Sequence, residues 1–78
     1  MIINYLQFEE DNDEIIIAEV EVEDEVYGDF QAIQGYGNDK VEAIEDLMDL
    51  FEDFYDEEEA SELIVQLTEM AEEQGVYT

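Results

Sequence analysis

The chain has 78 residues, with 26 aspartates and glutamates against a single lysine, Lys40, and a formal net charge of −25. It contains no cysteine and no histidine, which excludes disulfides, thiolate or imidazole metal sites, a Cys–His dyad and a Ser–His–Asp triad. Coulomb repulsion sets nucleic acid, anionic membranes and acidic substrates aside as direct partners, so any partner should present a basic protein surface.

High net charge is also the mark of disordered chains. Here Leu, Ile, Val and Phe fill 23 of 78 positions, above the roughly one-fifth below which acidic chains stay unfolded, and they recur periodically. No apolar run approaches the ~20 residues of a membrane span, and Met1-Ile2-Ile3-Asn4-Tyr5 lacks the basic region and cleavage signal of a secretory peptide. The expectation is one folded, soluble, cytoplasmic domain over residues 1–78.

Ile2 to Phe8 is β-branched and aromatic enough for a first strand. The run Glu9-Glu10-Asp11-Asn12-Asp13 reads as a turn. Glu14 to Glu23 alternates, with Ile16, Ala18, Val20 and Val22 on one face and Ile17, Glu19, Glu21 and Glu23 on the other, the pattern of a half-buried strand. After a turn-prone Asp24-Glu25 and Gly28-Asp29, a third short strand covers Phe30 to Gln34, and Gly35-Tyr36-Gly37 is expected to end it.

Asp39-x-x-Glu42 fits a capping box and starts a helix. Val41, Ile44, Met48, Phe51 and Tyr55, widened by Leu47 and Phe54, form its apolar stripe. Glu42, Asp46, Asp49, Asp53 and Asp56 recur on the opposite side. Leu50 falls at the edge of that acidic side. Asp56-x-x-Glu59 is a second capping box, opening a helix with an Ala60, Leu63, Ile64, Leu67, Met70 and Ala71 stripe that Gly75 closes. Val65 sits among its acids. The short join predicts an antiparallel hairpin or a sharp corner. The order β-β-β-α-α predicts an α+β domain, a small antiparallel three-stranded sheet with both helices packed on one face.

The segment Gly37-Asn38-Asp39-Lys40-Val41-Glu42-Ala43-Ile44 resembles the strand-to-helix segment of the HicB-like antitoxin fold, where glycine and a polar pair precede Glu-Ala and an aliphatic residue. With the strands before it the resemblance covers about Ile2 to Phe54. Glu25-Val26-Tyr27-Gly28-Asp29-Phe30 stands where that family has a Pro-Asp-x-Pro-Gly turn, and an acidic helix stands where it has a basic DNA-binding module. The resemblance bears on topology and leaves function open.

Catalysis by paired carboxylates needs a concave site that moves two pKa values apart, and 78 residues offer little room for one, so the chain is read as a non-enzyme with no cofactor. Asp11-x-Asp13 begins like a calcium loop, but Ile15 and Ile16 stand where a ligand and a glycine are needed, so no dedicated metal site is expected. Gly35-Tyr36-Gly37 amid acids would repel phosphate and is better read as a turn.

Solubility alone accounts for a charge of about −5 to −8 on a small domain, far short of the one observed. On a helix, steps of three and four advance about 5 Å per charge. On a strand, Glu19, Glu21 and Glu23 advance about 6.6 Å per charge. DNA presents a charge every ~3.4 Å along each strand in a stiff array. By size and charge the chain resembles the small phage-encoded DNA-mimic inhibitors, the anti-CRISPR and anti-restriction proteins among them. That resemblance implies an inhibitor occupying the basic nucleic-acid-binding groove of a host defence or DNA-binding complex. The candidate contacts are Glu19, Glu21, Glu23, Glu42, Asp46, Asp49, Asp53 and Asp56, with Tyr27 and Tyr36 as aromatic anchors. Leu50 and Val65 are secondary candidates for an apolar contact or a homodimer seam, leaving monomer and homodimer both open. The alternatives are an antitoxin or immunity-type protein neutralising a basic ribonuclease toxin, and the acidic domain of a salt-loving organism.

Overall fold

In the computed structural model, which describes residues 1–11 and 14–77, three strands precede two helices. The strands β1 (Ile2–Glu10), β2 (Ile16–Asp24) and β3 (Asp29–Gly37) form one antiparallel sheet in the order β1-β2-β3. The helices are α1 (Lys40–Phe54) and α2 (Glu57–Glu73). This is the α+β arrangement expected from the periodicities. β1 runs two residues past Phe8, because Glu9 and Glu10 pair with Ile17 and Ile16. The Asn12-Asp13 part of the expected turn lies outside the described residues. Beside it, Asp11 N–H donates to the Ile15 carbonyl at 2.7 Å and Glu14 adopts a left-handed φ of 64°.

The alternation of β2 survives intact: Ala18, Val20 and Val22 are buried, and Glu19, Glu21 and Glu23 face away from the core. β1 departs from strict alternation. A bulge between Ile3 and Tyr5 leaves both Ile3 and Leu6 buried, so Asn4 and Tyr5 lie side by side between them, toward the glutamate face.

The third strand does not stop at Gln34 but continues through Gly35 and Tyr36 to Gly37, its last residue, with Gly35 paired with Ala18 and Gly37 with Ile16. They are glycines because α1 lies directly on them. A Cβ at Gly35 would fall 2.6 Å from the Ala43 carbonyl oxygen, and one at Gly37 would fall 2.5 Å from Ala43 N. The pairs Gly37–Ala43, Gly35–Leu47 and Gln31–Tyr55 show that α1 runs back along β3. In the other half of the layer Gln66 reaches Met1 and Ile3 while Gln74 reaches Leu6, so α2 runs forward along β1. β1 and β3 are parallel to each other, so the helices form an antiparallel hairpin on one face of the sheet.

Both helix starts obey their capping signals: Asp39 Oδ1 accepts from Glu42 N–H and Asp56 Oδ1 from Glu59 N–H, each at 2.8 Å. At the end of α2, Gly75 takes a left-handed φ of 77°, its N–H bonds the Glu72 carbonyl and Val76 N–H bonds that of Ala71, the paired pattern of a Schellman cap. Between the layers Leu6, Val20 and Ile33 meet Ile44, Leu47, Phe51, Leu63 and Leu67. Phe54, assigned to the apolar stripe by spacing, is 60% exposed. It is the last residue of α1, and Tyr55 takes the inner place instead, edge-on to Phe51 with its hydroxyl donating to Gln31 Oε1 at 3.2 Å. Leu50 packs against the core rather than standing free, whereas Val65 is 58% exposed. No helix among the described residues is long and apolar enough to cross a membrane.

Candidate functional site

Because both helices cover one face, the other face of the sheet is left to solvent, and the β2 register sets Glu19, Glu21 and Glu23 along its middle. Each glutamate is held by neutral donors. Glu19 accepts from Gln7 Nε2 at 2.7 Å and Tyr5 Oη at 3.0 Å on one oxygen, and from Gln34 Nε2 at 2.9 Å on the other. Asn4 Nδ2 bridges Glu21 and Glu23 at 3.0 and 3.2 Å, a reach that the β1 bulge makes possible. The bonds from Gln34 and then Tyr5, with a lesser contribution from Gln7, hold the Glu19 carboxyl below the usual glutamate range against the opposing effect of burial. The same bond, with burial and the charges of Glu19 and Glu21 added, pushes the Tyr5 phenol up. The row is therefore held in place by neutral donors, with no cationic side chain paired to it among the described residues.

Tyr36 pairs with Ile17 and stands on this face at the Glu19 end of the row, 52% exposed, its hydroxyl donating to Gln34 Oε1 at 3.0 Å. Tyr27 lies off the face, at the tip of the β2–β3 turn beyond Glu23, and is 79% exposed. That turn is held by Asp24 Oδ1, which accepts from the N–H groups of Val26 and Tyr27.

The α1 acids divide by what they bind. Asp46 Oδ2 accepts from the Tyr36 backbone N–H at 2.9 Å, closing the end of β3, and Glu42 accepts from Asn38 Nδ2 at 3.4 Å. Asp49 and Asp53 are exposed and make no hydrogen bond or ion pair among the described residues. Asp56 lies outside α1 as the N-cap of α2, because Tyr55 turns the chain into an extended corner first. The row along α1 accordingly ends at Asp53. Asp56 and Tyr27 instead meet at an open cleft of about 530 Å³ that also collects Asp24, Glu25, Glu59 and Glu62. The Met1 ammonium sits in it, 4.0 Å from Glu25 and 3.9 Å from Glu62.

The residues that position the strand row, Asn4, Tyr5, Gln7 and Gln34, belong to none of the candidate rows legible in the sequence. A signal for two of them exists in the three-residue spacing of Ile3 and Leu6, which breaks the alternation of β1 and hints at a bulge. No polar or charged side chain is buried, and no three acids converge as a metal cluster, among the described residues. In comparisons with known proteins, no family model, no curated protein and no solved structure matches the chain.

Proposed function

We propose that the protein is an inhibitory nucleic-acid mimic, which binds the basic nucleic-acid groove of a host defence or DNA-binding complex through carboxylates displayed by its sheet. The observation that carries this reading is the manner in which Glu19, Glu21 and Glu23 are held. Amide and phenol donors restrain them, while no lysine or arginine pairs with them among the described residues. A hydrated coat suited to high salt requires charge but not fixed positions. A mimic requires both, since ordering carboxylates in advance lowers the entropy lost on binding. The exposed Asp49 and Asp53 and the turn around Tyr27 supply further charge and an aromatic contact at the margins.

The test is displacement of fluorescent duplex DNA from purified CRISPR and restriction complexes. The mimic should compete with DNA, with affinity falling steeply as salt rises. Replacing Glu19, Glu21 and Glu23 together by glutamine should weaken competition by about a hundredfold or more, and by more than the Asp49→Asn, Asp53→Asn pair does. Simultaneous binding of DNA and this protein at one groove would refute the reading. Inhibition of a basic ribonuclease with no effect on any DNA-binding complex would move it to toxin neutralisation.

A further inference from the structure

The two outer edges of the sheet are treated differently. On β1, Ile3 N–H donates to Gln66 Oε1 at 2.9 Å, the Met1 carbonyl accepts from Gln66 Nε2 at 2.8 Å, and the Leu6 carbonyl accepts from Gln74 Nε2 at 2.9 Å. Side chains of α2 thus occupy that edge. On β3 one outward group is satisfied, Tyr36 N–H by Asp46. Outward and inward backbone groups alternate along an antiparallel strand, and β3 keeps an unbroken register with β2. The N–H and C=O groups of Phe30, Ala32 and Gln34 therefore point the same way as Tyr36 N–H, and no hydrogen bond engages them among the described residues.

This edge lacks the usual protections. From Phe30 to Gly37 it carries no charge and no proline, in a chain where a third of the residues are charged. It is flanked by acids. One strand in, Glu19, Glu21 and Glu23 pair with Gln34, Ala32 and Phe30. Above it, α1 places Asp46 at Tyr36, with Leu50 and the exposed Phe54 following one and two turns along the same side, and Asp49 and Asp53 behind.

We propose that an extended, lysine- or arginine-bearing segment of the partner pairs with the free edge of β3 between Phe30 and Gln34, forming a fourth strand. This rests on the reading of a cationic partner above. Charge selects the occupant. Pairing two copies through β3 would bring their Asp46, Asp49 and Asp53 rows face to face, each on a molecule of charge −25. A basic strand meets no such opposition. Its residue opposite Ala32 lies about two strand spacings, roughly 10 Å, from the backbone of Glu21. The small Ala32 side chain leaves open the path by which a lysine stem and the Glu21 side chain span that distance. Phe54 on the helix side offers apolar cover to the residues between the cations, and Phe30 on the outer face to the stems of the cations themselves.

The probe is an octapeptide of alternating lysine and valine, compared with the same peptide methylated on its lysine backbone nitrogens, which keeps the charge and removes the donors. The unmethylated peptide should bind about tenfold more tightly and slow amide hydrogen exchange at Phe30, Ala32 and Gln34 by at least about tenfold. Ala32→Pro, which removes one outward donor at a position where an edge strand tolerates proline, should erase the difference between the peptides while leaving the circular dichroism spectrum intact. If that variant does not fold, the peptide pair on the unaltered protein decides alone. Equal binding of both peptides with unchanged exchange at those amides overturns the proposal and spares the mimic reading. Protection without any displacement of DNA from the effector complexes overturns the mimic reading and spares the edge. A dimer in sedimentation that Ala32→Pro dissolves assigns the edge to a second copy and overturns the basic occupant.

Discussion

Replacing Gly35 by alanine puts a methyl group 2.6 Å from the Ala43 carbonyl oxygen, 2.8 Å from Leu47 Cγ and 2.9 Å from Leu47 N. Carbon–oxygen contacts settle near ~3.3 Å, so α1 must retreat from β3 by about 0.7 Å. Two of the three atoms are helix backbone and the third belongs to a fully buried side chain, so no rotamer change relieves the contact. A gap of 0.5–1 Å forfeits a quarter to a half of the dispersion attraction along its length, and overpacking of this kind costs about 1–3 kcal/mol. With backbone on the far side, the upper half of that range applies: about 2–3 kcal/mol, out of the roughly 4–12 kcal/mol that a domain of this length holds. In urea, followed by circular dichroism at fixed salt, the midpoint should fall by about 1–2 M. Gly28→Ala is the control. Gly28 has a φ of 71° and nothing within 4 Å of an added Cβ, so it should lose only the ~1 kcal/mol of a left-handed backbone. A Gly35→Ala protein that unfolds with the wild type, or later than Gly28→Ala, would refute the claim that close helix approach requires this glycine.

Three further outcomes follow from particular contacts. Gln66→Leu strands Ile3 N–H and the Met1 carbonyl on a partly buried edge; it should cost about 1–2 kcal/mol in the same urea assay, and no loss would mean that water replaces the amide fully. Glu14→Gly removes a non-glycine residue from a φ of 64° and should stabilise the β1–β2 turn by about 0.5–1 kcal/mol, unless the turn relaxes to another form, in which case stability will not rise. The Glu19 carboxyl, depressed in the folded state, contributes stability that is present above the ordinary glutamate range and is lost as pH falls through its lowered folded value. Carboxyl carbon NMR should show it titrating below the free glutamate value, and Tyr5→Phe should raise it by removing one donor; an unshifted Glu19 in that variant would deny the phenol its role.

Much of this protein is legible along the chain because the signals are local. Each capping aspartate lies three residues before the N–H it binds, Gly75 closes the helix it follows, and the alternation of Ile16 to Glu23 sorts its own residues onto two faces. Capping geometry and side-chain period act within a turn or two and are written in consecutive residues. The misread positions are those whose reason lies elsewhere in the fold. Gly35 and Gly37 look like turn residues until α1 is laid upon them. Asp46 looks like one more exposed acid until the end of β3 reaches it, and Asn4 looks unremarked until a bulge carries it to Glu21 and Glu23. By itself the sequence determined the order of the elements, the sign of the charge and the face of β2 that displays it. Tertiary structure alone decided which acids are held, which are free and which sheet edge stays open. Those outcomes depend on cross-strand register and helix placement, which join residues ten to nearly seventy positions apart.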